Sequence, residues 1–170
     1  MPKSEVEETT DKTISRGGIL ARMYFDMQSE KPDDLQPLMA ELINNRLMKA
    51  QGVVYCYGSI DEPIKSGDLY LTNAVMTILL KDIAALINIA FNFTPAGIEI
   101  LKPTKEYVLK IPELQSLMLD IAQISVNYSK YILERTLSKE DYERIMRDIA
   151  NREALGRKLL EDKKDHSKRQ

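Results

Sequence analysis

ILARMYFDMQ, Ile19–Gln28, decides the fold class. Ile19, Ala21, Met23, Phe25 and Met27 fall on one side of an extended chain; Leu20, Arg22, Tyr24, Asp26 and Gln28 fall on the other. Successive strand side chains point to opposite faces, so this period of two predicts a strand with one apolar face and one mixed face.

Downstream, the period changes. Pro32-Asp33-Asp34 suits a helix start, with proline in the first turn and acids at the positive end of the dipole. Leu35, Leu38, Met39, Leu42 and Ile43 then recur at three and four, and Gly52 marks a stop. Val53–Ile60 alternates again and predicts a second strand, with Cys56 on one face and Tyr55 and Tyr57 on the other. Residues 61–68 read as a hairpin loop. Leu69–Leu80 is apolar on both faces and predicts a central strand covered on both sides. Asp82 is a predicted N-cap for a helix over 82–93. Ile98–Leu101 predicts a short fourth strand, and Tyr107–Ile111 a further edge strand.

After Pro112 the pattern is helical. Leu114, Leu117, Met118, Ile121, Ser125, Tyr128 and Ile132 form one stripe, and Ser138 with Asp141 opens a second helix that continues past Gly156.

The order β-α-β-β-α-β followed by two helices predicts an α+β protein. Its first six elements fit a ferredoxin-like antiparallel sheet with two helices on one face. The expected plan is a flexible tail over 1–17, the ferredoxin-like domain over 18–111, a helical extension over 112–162 and a flexible tail over 163–170. The extension is expected to pack on the domain or on a partner subunit. The 170 residues suit one domain, with 44% hydrophobic and 29% charged residues.

Composition also narrows the chemistry. A net charge of −2 gives no basic field for nucleic acid or anionic lipid. Cys56 is the single cysteine and His166 the single histidine, so no two-cysteine redox motif, cysteine-rich zinc site or histidine-centred triad assembles within one chain. No metal or cofactor is expected, and no glycine-rich phosphate cradle occurs. Gly17-Gly18 reads as a flexible lead-in to the first strand. The polar, acidic first residues do not read as a signal peptide, and Lys81-Asp82 interrupts the longest apolar run, which argues against a membrane span. The expected location is the cytoplasm.

Two helices cover only one face of the sheet. The other would present Leu20, Tyr24, Tyr55, Tyr57 and part of the third strand, which calls for a cover: the helix at 112–135 or a second copy. Arg22, Tyr24, Tyr55, Tyr57 and Asp26 are therefore the candidate interface or ligand-binding residues. Leu114, Leu117, Met118, Ile121, Tyr128 and Ile132 are the candidate helix-packing residues. Tyrosine and arginine are favoured at protein interfaces. Aromatics on an open four-stranded sheet also serve RNA-recognition domains, but the third strand lacks their basic-glycine-aromatic start. Asp26 and Glu99, on neighbouring strands, form a candidate carboxylate pair.

The leading expectation is a non-enzymatic, homodimeric binding or regulatory protein with a small-molecule or protein partner. The alternatives are a single-stranded nucleic-acid module and an enzyme with a carboxylate/tyrosine site at a subunit interface.

Overall fold

A computed structural model describes residues 4–151 and Ala154. The helices are α1 (Glu5–Ile14), α2 (Pro32–Glu41, continuing into a π-helical segment Leu42–Leu47), α3 (Ile83–Phe93), α4 (Ile111–Thr136) and α5 (residues 139–151). The strands are β1 (Ile19–Ser29), β2 (Val53–Ile60), β3 (Ile64–Ser66), β4 (Leu69–Leu80) and β5 (Gly97–Lys102). The chain divides into two compact units, residues 1–120 and 121–170.

The first unit is mixed α+β. Its strands pair antiparallel in the order β2-β4-β1-β5, with β3 also on β4. The register sets Ile19 opposite Leu80, Ala21 opposite Ile78, Met23 opposite Met76 and Phe25 opposite Ala74, all on one face. Met39, Ile43, Leu47, Ala85 and Ile89 from α2, its π-helical continuation and α3 join them in a single core, so both helices cover that face.

The wide turn at Leu42–Leu47 has a cause in the sequence. The buried residues Leu35, Met39, Ile43 and Leu47 recur strictly at four. An α-helix turns about 100° per residue, so each step of four drifts about 40°. The hydrogen bond from the Met48 N–H to the Ile43 carbonyl, five residues back, widens the turn and returns Leu47 to the core side. Arg46 lies 5.7 Å over the Phe93 ring, tying this segment to the end of α3.

Asp82 caps α3 as expected: its carboxylate accepts from the Ala85 N–H at 2.8 Å. The second helical run ends earlier than expected, at Leu47 with Met48 as its C-cap, and Gly52, at φ +90, sits in the turn that leads into β2. Ser138 likewise caps α5, accepting from the Asp141 N–H.

Four expectations need correcting. Residues 5–14, read as part of a mobile tail, form α1. A capping box holds its start, Ser4 accepting from the Glu7 N–H and Glu7 accepting from the Ser4 N–H. Gly17-Gly18 is a tight junction rather than a flexible lead-in. A Cβ on Gly18 would lie 2.7 Å from the Thr13 carbonyl oxygen and 2.8 Å from that of Leu80, so only glycine lets α1 close on β4. The loop at 61–68 contains β3, because Gly67 at φ +61 takes the first central position of a two-residue turn between Ser66 and Leu69. Residues 106–110 form no strand. Tyr107 instead donates its hydroxyl to the Gly17 carbonyl at 2.6 Å, which holds this segment against the start of β1.

In the second unit, α5 presents Tyr142, Ile145, Met146 and Ile149 as a half-buried stripe. The expected continuation beyond Gly156 and the tail over 163–170 lie outside the described residues. No helix among the described residues is long and apolar enough to cross a membrane.

Candidate interaction face

Among the described residues of the first unit, the face of the sheet opposite α2 and α3 is covered at one end only. There α1 lies over Leu79, which is 0% exposed although it points away from the main core. Thr10 is the one residue of α1 that is fully buried. Its hydroxyl donates to the Val6 carbonyl at 2.6 Å and meets the Tyr55 hydroxyl at 2.8 Å. A hydroxyl has a single proton, so the Tyr55 O–H is the donor to Thr10 Oγ1. An exposed ion pair at 3.4 Å, Lys102 to Asp11, joins α1 to the end of β5.

Beyond α1 the face is open. Arg22, Tyr24 and Asp26 project from β1; Tyr57 projects from β2, its ring 5.9 Å from that of Tyr55. Tyr57 is 58% exposed and Tyr24 38%. Arg22 faces Glu99 across the β1–β5 ladder and donates to its carboxylate at 3.1 Å. The Tyr24 hydroxyl donates to the same oxygen at 3.3 Å. Tyr24 and then Glu99 hold the Arg22 guanidinium above its ordinary pKa, so it is a fixed cation at any working pH.

The register thus gathers Arg22, Tyr24, Tyr55 and Tyr57 on one face. It does not form the carboxylate pair: Glu99 is engaged by Arg22 and Tyr24. Asp26 lies opposite Asn73, four residues further along β1 and about 13 Å away at strand rise, beyond the end of β5. What the sequence reading missed is the role of α1 in covering part of this face. The Ser4-Glu7 spacing, with Val6, Thr10 and Ile14 recurring at four, was the available signal.

Cys56 falls on the helix-covered face, opposite Ile78, where burial pushes its thiol up to about 11. A thiol held neutral in this way is a packing residue. Among the described residues, no group of three acidic, cysteine or histidine side chains is placed to hold a metal ion.

A second feature of the first unit is a cleft of about 780 Å³ between the start of α3, residues 107–110 and the start of α4. Leu117 is buried against it, and Arg16 and Lys110 face Asp82, Glu113 and Asp120 around its rim. The charges offset one another and select neither an anion nor a cation.

Of the helix-packing candidates, Leu117 is buried and Ile121 half-buried, while Leu114, Met118, Tyr128 and Ile132 are exposed.

Residues 20–147, from β1 into α5, match the model of the MJ0538 family, a name that describes no activity. No curated protein and no solved structure matches the chain.

Proposed function

We propose that this chain, which belongs to the MJ0538 family, is a non-enzymatic, homo-oligomeric binding or regulatory protein acting through its open sheet face and C-terminal helices. The observation that carries this reading is the half-covered sheet, on which α1 leaves Tyr57 and Tyr24 exposed beside the Arg22–Glu99 pair. Tyrosine and arginine held on a rigid sheet are the residue types that anchor protein interfaces at low entropic cost. The strand order β2-β4-β1-β5, with β3 as a short addition, supports reading the fold as ferredoxin-like. A cytoplasmic location is proposed with it, in keeping with a lone, buried thiol.

The single-stranded nucleic-acid reading is weaker. Arg22, the cation within the tyrosine cluster, is engaged by Glu99, and the net charge is −2. Phosphate contacts dominate such binding and need uncommitted positive charge.

Light scattering of the full chain at micromolar concentrations tests the proposal. A dimer is expected, with Tyr57→Ala or Arg22→Ala weakening any partner engaged by the sheet. A monomer at every concentration overturns the homo-oligomer. Binding of labelled single-stranded RNA that weakens as salt rises would replace this reading with the nucleic-acid one.

A further inference from the structure

The helices α2 and α3 hold the sheet through buried apolar side chains; α1 does not. Its ten residues include no leucine, methionine or alanine, and five of them, Val6, Thr9, Thr10, Thr13 and Ile14, are β-branched and weak helix formers. Only Thr10 is fully buried; Ile14 is half-buried and Val6 is 55% exposed. Its polar ties to the sheet include one hydroxyl pair, Thr10 with Tyr55, and one exposed ion pair, Lys102 with Asp11, of a kind that contributes little in water. A helix of ten residues does not stand alone in water, so α1 is either docked or melted.

What α1 covers is the apolar part of the face. The register lines up Tyr55, Leu79 and Leu20 across β2, β4 and β1. Leu79 is fully buried and the other two are half-buried. The next row, Tyr57, Thr77 and Arg22, continues to Glu99 on β5 and lies in the open half. A protein interface combines an apolar centre with a polar rim. Here the rim is open and the centre is capped.

We propose that α1 is an autoinhibitory cover: it occupies the apolar centre of the docking face, and a second copy gains that centre only when α1 lifts away at Gly17. The inference rests on the homo-oligomeric reading above and adds its regulation.

The hinge is marked in the chain. Gly17 has φ +91, and the Tyr107 hydroxyl holds its carbonyl at 2.6 Å. Everything after this point is fixed by the pairing of β1, and everything before it by the slight contacts of α1. Gly18 lets the cover close, since a Cβ there would strike Thr13 and the Leu80 carbonyl oxygen. A partner that needs the lifted form has its affinity reduced by the fraction of chains in which α1 is lifted.

Thiol labelling measures the lift. Cys56, on the helix-covered face, is the internal reference for opening of the whole fold. The thiol introduced by Thr10→Cys is expected to react with a disulfide reagent roughly 100-fold faster than Cys56. Glu8 is exposed and its N–H donates to the Ser4 carbonyl at 3.0 Å, so Glu8→Pro breaks α1 without changing Thr10, Ile14 or the sheet. Adding it is expected to speed labelling at position 10 and to leave Cys56 protected, which also shows that the variant folds. In the otherwise native chain, Glu8→Pro is expected to tighten self-association in sedimentation by the same factor by which it speeds that labelling. Ser4→Ala removes only the exposed cap and is expected to do both to a smaller degree.

Two thiols labelling at one rate overturn the inference, because α1 then opens only with the whole fold. A wild-type dimer whose association both variants leave unchanged or weaken overturns it while the homo-oligomeric reading stands. Monomers in wild type and variants alike overturn both.

Discussion

Replacing Thr10 by valine isolates the contact by which α1 covers the open end of the sheet. Valine keeps the shape and removes the hydroxyl. The Tyr55 O–H then loses its acceptor at 2.8 Å, in a site that is only partly open to water. A hydrogen bond is worth about 0.5–1.5 kcal/mol net, and a stranded donor costs about 1–3 kcal/mol. Tyr55 is half-buried, so the lower part of that range applies, and Thr10→Val is expected to cost about 1–2 kcal/mol. Tyr55→Phe removes the donor and leaves only a spare lone pair on Thr10, which already donates to Val6; its expected cost is about 1 kcal/mol. The double variant has nothing left unpaired and should cost about what the larger single does. Urea unfolding of all four proteins should therefore give a coupling of about 1 kcal/mol. Costs that add to within about 0.3 kcal/mol, the behaviour of residues without a shared contact, would refute the docking of α1 on Tyr55.

Thr94 ends α3 at φ +42, a conformation that burdens a β-branched residue; Thr94→Gly should stabilise by about 1 kcal/mol, raising the melting temperature by about 2–4 °C, and a loss of stability would contradict the assigned backbone. A Cβ on Gly58 would run into the Val75 carbonyl oxygen of the paired strand, so Gly58→Ala should cost about 2–3 kcal/mol in urea unfolding; a neutral effect would refute the β2–β4 register. The Cys56 thiol is held neutral up to about 11 against an ordinary value of 9.0. Its folded-state pKa is raised, so its contribution to stability is complete below pH 9.0 and is lost as pH climbs towards about 11. Cys56→Ala should flatten that alkaline decline, and the native thiol should react with a disulfide reagent at about pH 8, below its raised pKa, only as fast as the fold opens; immediate labelling would place it at the surface.

The elements that can be read in advance are those with a long, regular period. The faces of β1 follow from its unbroken alternation, and the second helix follows from its spacing and from Pro32. These also place Arg22, Tyr24, Tyr55 and Tyr57 on a common face, because side-chain direction depends only on parity along a strand. The partner of Arg22 is not legible. Sliding β5 by two residues preserves every face but changes which side chain Arg22 meets, and the irregularity between Leu20 and Ala21 shifts the ladder again. Parity alone lets Glu99 share a surface with Asp26, whereas its position across the ladder gives it to Arg22. The first helix is hidden by composition: its acids read as a solvated tail, while the reciprocal Ser4–Glu7 cap and the contact of Thr10 with a distant tyrosine fix it in place. β3 is three residues long, too short to show a period.

The π-helical segment Leu42–Leu47 spends one residue more than an ordinary helix would need to cover the same length. The segment is in effect an insertion that the helix absorbed by bulging, and it marks where the chain tolerates a change in length. Deleting Asn44 or Asn45, both on the solvent side, should let the helix regularise without disturbing the strand that follows. The same deletion two turns earlier, between Leu35 and Met39, would rotate the buried residues on one side of the cut away from the sheet and cost the core its helical layer.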